Sequence, residues 1–198
     1  MGERMIYLVR HGEIEKEVDK KIYIGQLDVN LNKEGIKQSQ RLSIKLQHIP
    51  FQKIYCSSLK RTIKTAEIIS KNHGIEPEMV DEFREIDLGE WEGVSFNEIK
   101  GRYPNKFEKR GKNIIHYCVP GGESFYQCNQ RVIKKFYELL YITKGDILIV
   151  AHAGVNRLIL CNILGISLEK IFQMPQKYGC FNTIAENCGK LQVKNINQ

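Results

Sequence analysis

Three short apolar runs punctuate the chain: "MIYLV" at 5–9, "KIYC" at 53–56 and "ILIVA" at 147–151. Rich in β-branched and aromatic residues and lacking polar alternation, they predict strands covered on both faces. Helical spacing follows each run. Ile36, Ser39, Leu42, Leu46 and Ile49 recur at intervals of three and four, which predicts a helix starting near Asn32 and stopping before Pro50. Leu59, Ile63, Ala66 and Ile69 form a second inner face, with Ser57 or Ser58 as its cap and Gly74 at its end. A longer helix from about Glu123 shows Phe125, Cys128, Val132, Phe136 and Leu139 on one side, and "GVNRLILCNIL" after the third run is apolar nearly all round, as a buried helix is. The tail "CFNTIAENCGKLQVKNI" predicts two extended segments joined at Asn187, Cys188 and Gly189. Strands alternating with helices imply right-handed crossovers. The expected fold is an α/β three-layer sandwich with a mostly parallel central sheet and helices on both faces.

Composition narrows the picture without deciding function. A chain of 198 residues suits one domain, residues 1–198, and buries roughly 70% of its unfolded surface without disulfide staples. Its six cysteines include no CxxC pair and sit mostly in apolar patterns, the pattern of reduced thiols rather than a zinc site. No secretory leader and no membrane-length apolar run is visible, so the expectation is a soluble, cytoplasmic protein with no membrane partner. The formal charge of +7 admits an anionic partner. Its lysines are spread along the chain with no basic arm, which reads as a solvated surface and sets nucleic acid aside in favour of a small anion.

In a parallel sheet, ligands bind beyond the carboxyl ends of the strands. The first run is followed by Arg10 and His11, the second by Ser57, Ser58 and then Arg61, and the third by His152 and Gly154. Any one of these residues alone reads as an ordinary strand-end or surface group. Together, two arginines and two histidines at one edge repel each other unless an anion sits among them, and paired arginine N–H donors match a phosphate. The same cations depress the pKa of His11 and keep it neutral and nucleophilic. A phosphoryl group moving to that ring needs an acid for the departing alkoxide. "FREIDLGEWEG" at 83–93 offers Glu85, Asp87, Glu90 and Glu92 on a shaped loop, and composition does not choose among them.

In order along the chain, "LVRHGE", "YCSSLKRTIKTA", "REIDLGEWEG", "GGES" and "IVAHAG" resemble the histidine phosphatase superfamily, the phosphoglycerate mutase-like phosphatases, from about Ile6 to the C-terminal hairpin. The resemblance implies that His11 accepts the phosphoryl group and that Arg10, Arg61 and His152 bind its oxygens, with Ala153 beside them. It also implies that Glu85 is the proton donor and that no metal or organic cofactor takes part. Two positions depart from the pattern: Ile14 and Glu17 stand where many members have a threonine and an asparagine.

Only about 27 residues separate Gly93 from Gly121, where the mutases of the superfamily carry a longer insertion, and a shorter cover favours hydrolysis over phosphoryl return. Length, the "YIGQLDVNLNKEGIKQSQ" segment and the ending look most like the alpha-ribazole phosphatase branch, which implies a small phosphomonoester substrate and a monomer or homodimer. Broad phosphatase activity, phosphoglycerate mutase activity and a non-catalytic phospho-ligand module are the competing expectations. The segment from Ser95 to Tyr117 carries no pattern that names a ligand.

Overall fold

The computed structural model describes residues 3–15 and 21–198; Glu17 lies outside the described residues. Its strands are β1 (Arg4–Arg10), β2 (Lys53–Cys56), β3 (Glu78–Met79), β4 (Ile147–Ala151), β5 (Phe181–Asn187) and β6 (Lys190–Asn195). They form one sheet in the order β3-β2-β4-β1-β5-β6. The first four run parallel; β5 lies antiparallel to β1, and β6 antiparallel to β5. The sheet is therefore mixed at one end: β5 enters antiparallel to β1, and a two-residue hairpin, not a crossover helix, then turns β6 back against β5. Both hairpin residues, Cys188 and Gly189, have positive φ (50° and 78°), the backbone such a turn requires.

The strand runs look uniformly apolar because both faces are covered, yet the side chains still alternate between two cores. Ile6 and Leu8 of β1 join Ile147 and Ile149 of β4 in one core, under α5 (Phe125–Ile142) and α6 (Ala153–Leu164). Tyr7, Val9, Leu148 and Val150 join the other, under α1 (Lys33–Leu46) and α2 (Lys60–Ser70). The expected three layers are present.

Local details differ from the sequence reading. Asn32 caps α1 by accepting from the Gly35 N–H at 2.8 Å, but the helix stops at Leu46, and its buried face runs through Gly35, Ser39, Leu42 and Ser43, with Ile36 only half-buried. Helix α2 has Leu59 at its N-cap without a side-chain cap. Ser57 is turned to His152 at 2.9 Å and Ser58 to Asp81, so neither hydroxyl is available for conventional capping. The segment from Ser95 onward holds two further helices, α3 (Phe96–Arg102) and α4 (Pro104–Lys112). They bury little, Ile99 being the one buried residue of α3 and none being buried in α4, so no apolar stripe announces them.

Gly12 and Gly35 show why the chain leaves β1 as it does. A Cβ at Gly12 would sit 2.3 Å from the Gly35 carbonyl oxygen, and one at Gly35 would sit 2.0 Å from the Glu13 carbonyl oxygen. The first turn of α1 thus packs directly on the backbone following β1. We expect Gly35→Ala to destabilise the fold by about 1–3 kcal/mol through overpacking. Urea denaturation checks this, and an unchanged midpoint with an unchanged slope would show that the contact is soft.

Candidate active site

Strands β2, β4 and β1 are neighbours and parallel, so their carboxyl ends deliver side chains to one edge. His11 is held by its N–H on the Ala151 carbonyl at 3.1 Å and by the Gly179 N–H on its own carbonyl at 3.1 Å. Its ring Nδ1 lies 2.7 Å from the Gly12 carbonyl oxygen. A carbonyl only accepts, so Nδ1 carries the proton and Nε2 keeps its lone pair. Burial, with the Arg61 and Arg10 guanidiniums beside it, holds the imidazole well below the usual histidine range, so the ring is neutral.

Arg10 stacks on Tyr178, its guanidinium carbon 3.7 Å from the ring centroid, and donates to the Gln176 carbonyl at 2.5 Å. Its Nε is buried without a partner. Arg61, in the first turn of α2, is 1% exposed. It donates to the carbonyls of Leu27 at 2.6 Å and Gly25 at 2.7 Å, and its Nε to His152 Nδ1 at 3.3 Å. Because Arg61 only donates, His152 is protonated on Nε2, which reaches Ser57 Oγ at 2.9 Å. The two imidazoles meet edge to face, centroids 5.1 Å apart. Burial and then Arg61 hold His152 well below the usual range as well.

A cavity of about 410 Å³ opens over this floor, and Arg10, His11, Arg61, Glu85, Ala153 and Gly154 line its polar half. His152 does not line it: fully buried behind His11, it reaches the cavity through the groups it holds. Of the four carboxylates left open by composition, Glu85 alone faces the cavity. Its Oε2 accepts from the Gly154 N–H at 3.0 Å, in the first turn of α6, where the helix dipole favours an anion. A Cβ on Gly154 would lie 2.3 Å from Glu85 Oε1, so glycine there lets the carboxylate sit against the start of the helix. The other three are placed elsewhere: Asp87 binds the Gly89 N–H at 2.8 Å, Glu92 binds the Gln26 N–H at 2.6 Å, and Glu90 is exposed.

The remaining wall is mostly apolar. Ile14, Ile22, Tyr23, Phe96, Phe125 and Phe172 line it, with Tyr23 and Phe96 stacked at 4.0 Å. Ile14 is held in a bridge to Leu31. Arg110 and Arg157 stand on the same wall, Arg110 within 5.5 Å of the Tyr23 ring centroid. Sequence reasoning missed Tyr178, Gln176, Arg110 and Phe172, because each enters from a loop or a short helix with no strand end to mark it, and Arg157, because it lies a turn into α6 within an otherwise apolar run.

The family model for the histidine phosphatase superfamily, branch 1, matches residues 6–198. The chain belongs to this superfamily. Among histidine phosphatases it is similar to the adenosylcobalamin/alpha-ribazole phosphatase of Escherichia coli K12, 26% identical over 185 residues that cover 92% of this chain and 90% of the relative. Phosphoserine phosphatase 1 of Hydrogenobacter thermophilus is 32% identical over 179 residues, covering 89% and 82%. The crystal structure of the alpha-ribazole phosphatase from Shigella flexneri superposes with a TM-score of 0.91 at 27% identity, covering 98% of this chain and 96% of that one.

Two imidazoles held neutral by burial have a consequence for stability. Below about pH 6.5 the unfolded chain protonates both, while the folded chain keeps both neutral until its lower values are reached. Stability is therefore expected to fall as pH drops from 7 towards 5, with a slope of up to about two protons from this pair. Urea midpoints in phosphate-free buffer measure it. His11→Asn should remove about half of that slope, and a slope indifferent to the substitution would show that His11 titrates normally.

Proposed function

We propose that this histidine phosphatase hydrolyses phosphomonoesters through a phosphohistidine on His11 Nε2. The observation that carries the reading is the lone pair of Nε2, kept neutral by burial and Arg61, in a cavity where Arg10 and Arg61 meet Glu85 across the floor. In the first step Nε2 attacks phosphorus, the P–N bond forms, the ester P–O bond breaks, and the Glu85 proton goes to the leaving alkoxide. In the second, water attacks phosphorus, gives its proton to Glu85 and restores the His11 lone pair as the P–N bond breaks. Arg10, Arg61 and the N–H of Ala153 at the start of α6 bind the phosphoryl oxygens, where charge accumulates. His152, itself held by Ser57, orients Arg61 from behind.

The apolar, aromatic wall supports a planar, apolar leaving group, and alpha-ribazole 5′-phosphate or the corresponding cobalamin phosphate fits that description, in line with the relatives' names. Ile14 belongs to this wall, where a hydroxyl would serve a more polar leaving group. A second reading, an acidic leaving group such as that of phosphoserine, is favoured by Arg110 and Arg157 on the same wall.

His11→Ala is expected to bring hydrolysis to background and to abolish an acid-labile, base-stable phosphoryl label on the protein; retained activity would sink the mechanism. Glu85→Gln should lower kcat/KM about 10²-fold or more on alkyl phosphates and far less on 4-nitrophenyl phosphate, whose leaving group needs little protonation. In a panel of alpha-ribazole 5′-phosphate, cobalamin 5′-phosphate, phosphoserine and phosphoglycerates, kcat/KM is expected to favour the first two by at least about tenfold. A preference for phosphoserine would select the second reading.

A further inference from the structure

We propose that Glu123 and Arg131, neither of which lines the cavity, form the clamp that positions Glu85 as the acid, an inference that rests on the role given to Glu85 above. Arg131 projects from α5 and uses every N–H direction of its guanidinium. One terminal nitrogen donates to the carbonyls of Glu82 at 2.6 Å and Arg84 at 2.9 Å; the other donates to the Glu85 carbonyl at 3.2 Å, to Cys128 Sγ at 3.3 Å and to Glu123 Oε1 at 2.5 Å. Its Nε donates to Glu123 Oε2 at 3.0 Å, which completes a fork-to-fork pair. Three carbonyls from the four residues 82–85 thus converge on one cation.

Glu123 closes the clamp from the other side. Its Oε1 also accepts from the Asp87 N–H at 3.0 Å, and its own N–H donates to the Asp87 carbonyl at 2.9 Å. The acid loop also rests directly on the turn before α5: the Glu90 N–H donates to the Pro120 carbonyl at 3.0 Å. A Cβ on Gly122 would lie 2.5 Å from the Asp87 carbonyl oxygen, and one on Gly89 would lie 2.2 Å from the Pro120 carbonyl oxygen. The "GGES" segment acquires a use in these contacts. Gly122 permits the approach, Glu123 supplies the carboxylate, and Ser124 caps the helix that carries Arg131 two turns on.

The geometry explains why a residue outside the cavity matters to the chemistry. The Glu85 carboxylate is held by the Gly154 and Ile86 N–H groups, while its backbone carbonyl accepts from Arg131 at 3.2 Å and from the Gln26 side chain at 3.1 Å. Loosening the carbonyl grip displaces the carboxylate from the leaving oxygen, and a misplacement of about 1 Å costs on the order of 10²-fold in rate. Lys135, on the same helix, meets the same loop through the partly exposed Glu82 carboxylate at 3.1 Å, a contact that does not hold the backbone.

The test compares kcat/KM on an alkyl phosphate and on 4-nitrophenyl phosphate for Arg131→Lys, Glu123→Gln, Glu85→Gln and Lys135→Ala, with thermal unfolding followed in parallel. Arg131→Lys and Glu123→Gln are expected to lose about 10- to 100-fold on the alkyl ester and less than about threefold on the nitrophenyl ester. Lys135→Ala should leave both rates unchanged. The clamp is overturned if Glu85→Gln shows the leaving-group selectivity while both clamp variants lose rate equally on the two esters, or lose none. If Glu85→Gln itself shows no selectivity, the assignment of the acid fails and the clamp's role falls with it.

Discussion

Arg61 carries a full charge at 1% exposure, and among the described residues no carboxylate lies within ion-pair distance of it. A buried charge costs several kcal/mol, and here it is offset by two carbonyls from the 25–27 segment, by one imidazole lone pair and by the longer-range attraction of Glu85, Asp28 and Glu92. That compensation is incomplete by design of the edge, since Arg10 adds a second cation with a buried nitrogen left unpartnered. The imidazoles beside these cations stay neutral first because burial penalises their charge and then because the Arg61 and Arg10 guanidiniums repel it, and the lone pair of His11 is the result.

The parallel sheet is what allows so many like-signed groups to meet. Parallel neighbours end together, so β1, β2 and β4 each contribute a group without a loop having to reach across. Helix α6 begins at that same edge; its first turn places Ala153 on the cavity and donates the Gly154 N–H to Glu85. Gly154 there leaves room for the Glu85 carboxylate, whose oxygen would meet a Cβ at 2.3 Å.

The strand runs, the four long helices and Arg10, His11, Arg61 and His152 were legible because each rests on a local signal: an unbroken apolar run, a helical period, or a cation directly after a strand. The choice of Glu85 was not legible from composition, since four carboxylates share one loop and only tertiary packing turns one of them inward. Helices α3 and α4 escaped because they are short and polar and bury almost nothing, so their existence depends on Ser95 and Pro104 at their starts more than on an apolar stripe. The placement of His152 behind the floor could not be read either. Spacing brings it to the edge, but whether the ring faces the cavity or Ser57 is decided by packing between strands.

This division has a consequence for specificity. The phosphate half of the cavity is made by strand ends and helix starts, whose positions are fixed by two hydrophobic cores. The leaving-group half is made by Ile14, by the 22–24 segment, and by Phe96 and Arg110 on the helices with the least buried surface. Tyr23 is part of the core under α5 and α6 and Ile14 is buried, but Phe96 and Arg110 lie outside both cores, so that part of the wall is free to change with little effect on either core. Relatives of similar identity accordingly carry names for different phosphomonoesters, an alpha-ribazole phosphate in one and phosphoserine in another. On this chain the Tyr23–Phe96 stack and Arg110 share that wall, the stack a flat apolar surface and the guanidinium a charge beside it, so one face of the cavity joins aromatic packing to positive charge.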